Sequence, residues 1–380
     1  MAIGYGFLSA HPPTRSGSAA FNAGLAAALN ARGCAGGVVR MTTAGDDQRQ
    51  APGVVHTWPA GAGPGWQGAA EALNAFDVAV VQHEPGLYPG NGGGDVLPLL
   101  RRLTVPSIVV LHAVPTRPTP GHRSLLEAVV AAAGVVVTMG AAAQDRLLHG
   151  YTVDAAKVVV IPHGTTDHVT EHPPVPRRER PHLLTWGLLG PGKGVEWTLR
   201  ALAQLQDLDP TLTVAGQTHP KVVERHGEAY RAGLHRLGAQ LGVAHAVDYQ
   251  AFHHDEAALG GLIRSADVVV LPYDDPDQVT SGVLAEAVAA GVPIVASTFP
   301  HAIELLGGGR GLLVAHRNPA ALAKALRRVL TDPAVAARMA RSARPPVHWP
   351  EVAAQYEALA GRLIAAAPAT RRVPAPASAG

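Results

Sequence analysis

The stretch LPYDDPDQVTSGVLAEAVAAGVPIVAS, residues 271–297, decides the fold. An apolar run ends in a polar loop, an alanine-rich helical segment follows, and the chain turns at Gly291 into a β-branched run. Two strands joined by a helix of this length form a βαβ unit, in which the strands lie parallel in one sheet. The stretch therefore predicts an α/β domain with a parallel sheet.

The same alternation continues along both halves of the chain. The strand candidates are IGYGFLS, GVVR, DVAVVQHE, SIVVLHA, VVVTM and KVVVIPH in the first half, and HLLTWG, LTVAG, AVDY, DVVVLPY, PIVAS and GLLV in the second. Apolar residues recur at three and four positions in the segments between them, as in amphipathic helices. Because 380 residues suit two domains of about 150 to 200 residues each, we predict two Rossmann-like, doubly wound domains facing a central cleft.

The composition suggests where these domains begin and end. We expect an N-terminal domain over 1–168, a Pro-rich hinge over 169–181 and a C-terminal domain over 182–344. A strong helix over 345–366 is expected to cross back to the first domain. The small residues and prolines of 367–380 predict a disordered tail.

Composition also excludes several classes of protein. The formal net charge is +2, and no run of about twenty apolar residues is present, so a membrane span is not expected, although peripheral membrane association stays open. A lone cysteine, Cys34, cannot form an internal disulfide framework, and the N-terminus resembles a strand more than a signal peptide, which favours the cytoplasm. The basic cluster at 177–180 lies in the Pro-rich stretch, so nucleic-acid binding is not expected. The nineteen histidines lack the spacing of a metal site.

The loop GLLGPGKG, residues 187–194, resembles the start of a P-loop. A glycine-rich turn before a helix presents backbone N–H groups to an anion, and Lys193 adds a positive charge. A P-loop continues with Ser or Thr, which holds the magnesium ion, whereas this chain has Gly194. We therefore expect Gly190, Gly192 and Lys193 to bind a diphosphate without a metal requirement from this loop. The alternative is a tight turn with a solvated lysine.

The quoted stretch contains a second candidate anion site. Ser281 and Gly282 open its helix, so their N–H groups can face a phosphate, and Glu286 follows one turn later. A carboxylate there suits hydrogen bonds to sugar hydroxyls, although a solvated Glu286 fits the pattern equally well. The Asp275-Pro276-Asp277 segment resembles an Asp-x-Asp metal motif but is more typical of a turn.

These segments resemble the family 4 retaining glycosyltransferases of the GT-B fold. EAVAAGVPIVAS resembles the second part of their donor-binding signature, GLLGPGKG their donor loop, and VVVIPHG one of their strand ends. FLSAHPPTRSGSAAFNAGL resembles the first strand, loop and helix of the family, and the helix at Trp349 resembles its terminal helix. The similarity spans nearly the whole chain.

The resemblance implies transfer of a hexose, such as mannose or glucose, from a GDP- or UDP-linked sugar to an acceptor hydroxyl. The anomeric configuration would be retained, and neither a metal ion nor a cofactor would be needed. Lys193, Ser281 and Gly282 would stabilise the departing diphosphate. Glu286 would lie by the ribose and Gln278 by the sugar.

In the N-terminal domain, the resemblance assigns a catalytic role near the reacting sugar to His112. The resemblance also implies that Gly17, which has no side chain, lets the backbone of the first loop approach the phosphate closely. His83, Glu84, Arg15 and Arg117 are candidates on the acceptor side.

Two positions depart from the family pattern. Gln278 replaces the first Glu of the donor signature, and Leu188 replaces the arginine of the donor loop. Both changes resemble a bacterial subgroup of the family. Without that arginine, Lys193 and the helix N-terminus would have to neutralise the diphosphate alone, or Arg15 or Arg117 would have to assist them.

Other functions stay open on the sequence. The alternatives are a GT-B nucleotide-sugar epimerase, a glycoside phosphorylase, and a catalytically inactive nucleotide-sugar-binding protein or partner subunit. Product formation without any nucleotide would indicate a phosphorylase. Nucleotide binding without turnover would indicate an inactive protein.

Overall fold

The computed structural model of the protein describes residues 2–43, 49, 51–60, 65–167, 179–342 and 347–367. The chain divides into two compact units. Unit 1 comprises Met1–Gly164 and Trp349–Gly380, and unit 2 comprises Thr165–His348. The predicted hinge lies outside the described residues apart from 179–181, as does the predicted tail apart from residue 367.

Unit 1 is built on a parallel sheet of seven strands in the order β3-β2-β1-β4-β5-β6-β7. The strands are β1 (Gly4–Ser9), β2 (Ala35–Thr42), β3 (Val54–Pro59), β4 (Val78–His83), β5 (Ser107–Leu111), β6 (Val135–Thr138) and β7 (Val158–Val160). The helices before unit 2 are α1 (Gly17–Ala31), α2 (Trp66–Leu73), α3 (Val96–Arg102), α4 (Pro120–Ala132) and α5 (Ala141–Gly150). The order reverses beside β1, as in a doubly wound fold.

The strand β3 is an addition to the six strands expected in this half of the chain. It pairs only with β2 and forms an edge of the sheet. Only Trp58 is fully buried on it, and the strand ends at Pro59. Proline is tolerated at a sheet edge because no further strand needs its missing N–H.

Unit 2 has a six-stranded parallel sheet in the order β10-β9-β8-β11-β12-β13. The strands are β8 (His182–Trp186), β9 (Thr211–Ala215), β10 (Val247–Gln250), β11 (Val268–Leu271), β12 (Ile294–Ser297) and β13 (Leu312–Val314). The helices are α6 (Val195–Leu202), α7 (Pro220–His226), α8 (Ala229–Gln240), α9 (Glu256–Arg264), α10 (Gly282–Ala289), α11 (Pro300–Leu306), α12 (Pro319–Thr331) and α13 (Pro333–Ser342). The prediction of two Rossmann-like α/β domains is confirmed.

The core of unit 2 lies on both faces of its sheet. Successive residues of β8 enter different apolar clusters, Leu183 on one face and Leu184 on the other. Val268 and Val269 of β11 divide in the same way. A parallel sheet covered on both faces needs such continuous apolar runs, which explains why its strands were readily predicted.

The last helix of the chain, α14 (Trp349–Ala366), belongs to unit 1. It begins at Trp349, whereas the sequence suggested a start at 345, and residues 343–346 are not described. The Trp349 indole packs directly against Gly24 and Gly164. A Cβ on Gly24 would lie 2.5 Å from the ring and one on Gly164 would overlap it, so neither position has room for a side chain. Farther along α14, Glu357 forms a 2.8 Å ion pair with Arg32.

Candidate functional site

The loop between β8 and α6 depends on glycine backbone conformations. Gly187, Gly192 and Gly194 have φ values of +113°, +90° and +70°, a region that other residues rarely adopt. The Lys193 N–H donates to the Gly190 carbonyl at 3.1 Å and closes the turn. The predicted glycine-rich turn is therefore present at the carboxyl end of β8.

The environment of Gly194 explains why the P-loop hydroxyl is absent. A Cβ at this position would overlap the Pro272 carbonyl oxygen and lie 2.8 Å from its carbon. Pro272 follows β11, which pairs with β8. The close approach of these two loops excludes Ser and Thr here.

Lys193 presents its ammonium group over an aromatic ring. Nζ lies 4.4 Å from the centre of the Tyr273 ring, which is buried and stacks on Phe299. Among the described residues, no carboxylate lies within ion-pair distance of this half-buried lysine. The ring holds the ammonium in place, and no carboxylate of the described residues forms an ion pair with it.

The N-terminus of α10 follows the next strand along the sheet. Ser281 caps the helix, its Oγ accepting from the Leu284 N–H at 3.2 Å, and its own N–H donates to His301 Nδ1 at 2.9 Å. The Ser281 N–H is therefore already engaged by the protein. The N–H groups of Gly282 and Val283 have no acceptor in the part of the chain that the structure describes, so they are available to an anion.

Glu286 and Gln278 both have protein partners. Glu286 is half-buried, and its Oε1 accepts from the Thr166 N–H at 3.3 Å. The Gln278 side chain is also half-buried, and its Nε2 donates to the Thr280 carbonyl. The loop before α10 thus uses the amide of Gln278 as a donor, which a glutamate could not supply.

The Asp275-Pro276-Asp277 segment forms a turn. The Asp277 N–H donates to Asp275 Oδ1 at 2.8 Å, as in an Asx turn. No group of three or more potential metal ligands was found within the described ranges.

In unit 1, the strand ends bring other candidate residues to one edge of the sheet. His112 Nε2 lies 2.7 Å from Oε1 of Gln82, a buried residue of β4. Because an amide oxygen only accepts, Nε2 carries the proton and Nδ1 is left as the acceptor. The His112 ring also meets Phe21 edge-on at 5.2 Å, and Phe21 contacts His163 and Trp349 in the same way.

Burial keeps His112 and His83 at this edge neutral. Burial, with smaller contributions from His163 and His83, lowers the pKa of His112 to about 3. Burial lowers the pKa of His83 to about 4. His112 is therefore suited to hydrogen bonding as a neutral imidazole at physiological pH.

The other candidates of unit 1 lie in the loops at this edge or at the start of α1. Glu84 Oε1 accepts from the Ser18 hydroxyl at 2.9 Å. Gly17 is the first residue of α1, and nothing lies within 4 Å of a Cβ built on it, so packing within unit 1 does not require glycine there. Arg15 and Arg117 are exposed in the loops after β1 and β5.

Several contributors were not identified in the sequence. Tyr273, Asp274 and His301 surround the Lys193 loop and the start of α10, while Gln82 and His163 contact His112 or its neighbours. Tyr273 could have been suspected, since it follows a strand directly. The others are recognisable only from contacts distant in sequence.

Comparison with known proteins identifies the family. The sequence model of the family described as glycosyl transferases group 1 matches residues 180–332 of this chain. The D-inositol 3-phosphate glycosyltransferase of Frankia alni is 31% identical over 309 residues, which cover 71% of this chain and 74% of that protein. The chain belongs to the group 1 glycosyltransferases.

A second relative matches this glycosyltransferase over a shorter span. The D-inositol 3-phosphate glycosyltransferase of Streptomyces avermitilis is 32% identical over 243 residues, covering 60% of this chain and 51% of that protein. The match thus spans about half the length of that relative.

A solved structure supports the fold of this glycosyltransferase. Anabaena HepE, crystallised with UDP and glucose, superposes with a TM-score of 0.72 at 17% identity, covering 95% of this chain and all of HepE. The predicted GT-B fold is confirmed. Within the described ranges, no helix is long and apolar enough to cross a membrane.

Proposed function

We propose that this glycosyltransferase transfers a hexosyl group from a nucleotide diphosphate sugar to an acceptor hydroxyl, with retention of the anomeric configuration. The observation that carries the proposal is the anion site of unit 2. In the part of the chain that the structure describes, the Lys193 ammonium has no carboxylate partner, and the N–H groups of Gly282 and Val283 have no acceptor. These groups follow neighbouring strands, β8 and β11. The Asp274 N–H joins the two loops by donating to the Gly192 carbonyl at 2.8 Å.

This arrangement suits departure of a nucleoside diphosphate. As the bond to the anomeric carbon breaks, negative charge develops on the leaving phosphate oxygens. Donors that are already oriented stabilise this charge without reorganising during the reaction. Lys193 supplies the full charge, and Gly282 supplies an N–H at the positive end of the α10 dipole. The Ser281 hydroxyl accepts from Leu284 and keeps its own proton for a phosphate oxygen.

The donor sugar and ribose would contact the residues around this anion site. Glu286, whose Oε1 accepts from the Thr166 N–H, would accept hydrogen bonds from ribose hydroxyls, as the family resemblance implies. Gln278 would reach the sugar through its side-chain oxygen, since its nitrogen already donates to Thr280. His112 would act on the reacting sugar as a neutral imidazole, with Nδ1 as acceptor. Assignment to family 4, and to its branch with glutamine at 278, is part of this proposal.

The expected donor is a hexose linked to a nucleoside diphosphate, with uridine or guanosine as the nucleoside. HepE was crystallised with UDP and glucose, which supports a nucleotide-linked hexose for this chain. A GDP-linked hexose satisfies the same phosphate contacts. The acceptor needs a hydroxyl group, and His83, Glu84, Arg15 and Arg117 are the side chains proposed to receive it.

The decisive experiment measures nucleotide release from UDP- and GDP-hexoses in the presence of a panel of hydroxyl acceptors. Lys193→Ala should weaken binding of the released nucleoside diphosphate by about 1.5 to 3 kcal/mol, the scale of a hydrogen bond to a charged group. Lys324→Ala, which removes an exposed lysine from α12 of the same unit, is the matched control. Equal affinities of folded Lys193→Ala and wild type would refute the anion site.

Two further features of the proposal need separate measurements. Proton NMR of the first product formed should show the anomeric configuration of the donor, and an inverted product would refute retention. Turnover should continue after exhaustive treatment with EDTA, because Lys193 and the start of α10 supply the stabilisation that a metal ion would otherwise give. Loss of activity that manganese restores would refute metal independence. No cofactor is required by the proposed reaction.

A further inference from the structure

Asp274 occupies an unusual place beside the anion site. Its side chain is only 9% exposed, although carboxylates are seldom buried without full pairing. Its Oδ2 accepts from Trp197 Nε1 at 3.2 Å and from Arg317 Nε at 2.9 Å. Its Oδ1 is buried and has no hydrogen-bond partner in the part of the chain that is described.

These contacts tie three loops together. Trp197 lies on α6, next to the Lys193 loop, and the Asp274 N–H donates to the Gly192 carbonyl of that loop at 2.8 Å. Arg317 lies between β13 and α12. Asp274 is thus the common partner of the loops that follow β8, β11 and β13.

The neighbouring Tyr273 is held from the same side. Its carbonyl oxygen accepts from Ser297 Oγ at 2.5 Å and from His316 Nδ1 at 2.8 Å. The Tyr273 ring is the surface over which Lys193 Nζ stands. The backbone of residues 273 and 274 therefore fixes both the ring beneath the lysine and the loop that carries it.

The backbone of Arg317 is strained. Its φ is +56°, one of two positive values among the described non-glycine residues. Strained residues and unsatisfied buried polar atoms persist where the surrounding structure requires them, and they cluster at functional sites. Here both occur in one ion pair at the edge of the anion site.

We infer that Asp274 is a positioning residue for diphosphate binding: it fixes the Lys193 loop so that the ammonium group meets the phosphate farther from the nucleoside. The inference rests on the proposed function, since it concerns the same anion site. It assigns Asp274 no contact with the substrate. Its side chain acts through Trp197 and Arg317, which hold the position of residue 274, and its backbone N–H transmits that position to the Lys193 loop through Gly192.

The test compares binding of UDP and GDP with binding of UMP and GMP by calorimetry. In Asp274→Asn, which keeps the shape of the side chain and removes its charge, diphosphate affinity should fall about fivefold to thirtyfold. Monophosphate affinity should stay within about twofold of wild type, because a monophosphate lacks the group that Lys193 is positioned to meet. A general loss of folding would weaken both ligands alike.

A double-mutant cycle supplies the second readout. Once Lys193→Ala has removed the ammonium group, Asp274→Asn should cause little further loss of diphosphate affinity, because a shared effect is not additive. Arg317→Gly removes the ion pair while relieving the strained backbone, so it should show the same preference for diphosphate loss without a lower melting temperature. Arg327→Gln breaks the exposed pair with Asp207, in the segment before β9, and is the matched control.

The outcomes separate the inference from the proposed function. If Lys193→Ala weakens diphosphate binding but Asp274→Asn adds its full effect in that background, the positioning role is wrong and the anion site stands. Equal losses for monophosphate and diphosphate in a folded Asp274→Asn variant, or tighter diphosphate binding by it, would also overturn the inference. If wild type binds neither UDP nor GDP, both the inference and the proposed function fail.

Discussion

Replacing Gly194 by alanine tests the close approach of the two loops at the anion site. The glycine has φ +70°, and a Cβ there would overlap the Pro272 carbonyl oxygen and lie 3.1 Å from Trp197 Cδ1. Because Pro272 precedes Tyr273, the displacement would reach the ring under Lys193. We expect loss of both stability and nucleotide affinity.

The magnitude follows from two separate effects. The left-handed conformation costs an L-residue about 1 to 2 kcal/mol, and overpacking a filled site adds about 1 to 3 kcal/mol. Gly194→Ala should therefore destabilise unit 2 by about 2 to 5 kcal/mol. Gly192→Ala is the matched control, since Gly192 has φ +90° but nothing within 4 Å of a built Cβ. Gly192→Ala should lower the free energy of unfolding only by the cost of the left-handed conformation, about 1 to 2 kcal/mol.

Thermal unfolding followed by circular dichroism measures this difference. For a unit of this size, each kcal/mol lowers the melting temperature by about 2 to 4 °C. Gly194→Ala should thus melt about 4 to 20 °C below wild type, and Gly192→Ala about 2 to 8 °C below it. If Gly194→Ala were no less stable than Gly192→Ala, the contact with Pro272 would not exist and the explanation for the missing P-loop hydroxyl would be wrong.

Gln278, Trp349 and the buried histidines of unit 1 can each be tested by substitution or by pH. Gln278→Glu places a carboxylate against the Thr280 carbonyl in place of an amide donor. The lower kcat/KM should correspond to a loss of about 1 to 3 kcal/mol of transition-state stabilisation. An unchanged kcat/KM would show that the hydrogen bond from the Gln278 amide is dispensable. Trp349→Ala removes the indole between two glycines and should lower the free energy of urea unfolding of unit 1 by about 3 kcal/mol, whereas a loss below about 1 kcal/mol would contradict that packing. Burial lowers the pKa of His112 to about 3 and that of His83 to about 4 in folded unit 1. As the pH falls below about 6.5, these histidines therefore bind protons in the unfolded chain but stay neutral in the folded unit. The urea stability of unit 1 should therefore decrease from about pH 6.5 towards pH 4, less so in His112→Gln, and a flat profile would show that these rings are accessible to protons.

The sequence predicted most strands because buried parallel strands are continuous apolar runs. β11 and β12 of unit 2, for example, are buried along their whole length. The edge strand β3 was not predicted because most of its residues alternate between half-buried and exposed positions. Trp58 is the one side chain of this strand that is fully buried. Such a segment has no strong signal apart from the pairing partner, which is a tertiary feature.

The candidate site was predictable only in its placement. Parallel topology brings the carboxyl ends of strands to one edge, so the positions of Lys193, Ser281 and His112 followed from the strand assignments. The partners of these residues did not follow. His301, which accepts from the Ser281 N–H, lies on the next helix, and its backbone N–H bonds the Gln278 carbonyl of the loop before α10. No local pattern indicates a contact made through tertiary packing, and the same holds for Gly194 against Pro272.

The insertion of Trp349 between Gly24 and Gly164 has a consequence for biosynthesis. Unit 1 is discontinuous, since the whole of unit 2 is translated between Gly164 and the helix that completes unit 1. At about 5 to 20 residues per second, the ribosome needs about 10 to 40 s to synthesise that interval. During this time the aromatic surface around Phe21 emerges without its tryptophan. The N-terminal half of the nascent chain must therefore wait for Trp349, which is translated only after the last residue of unit 2.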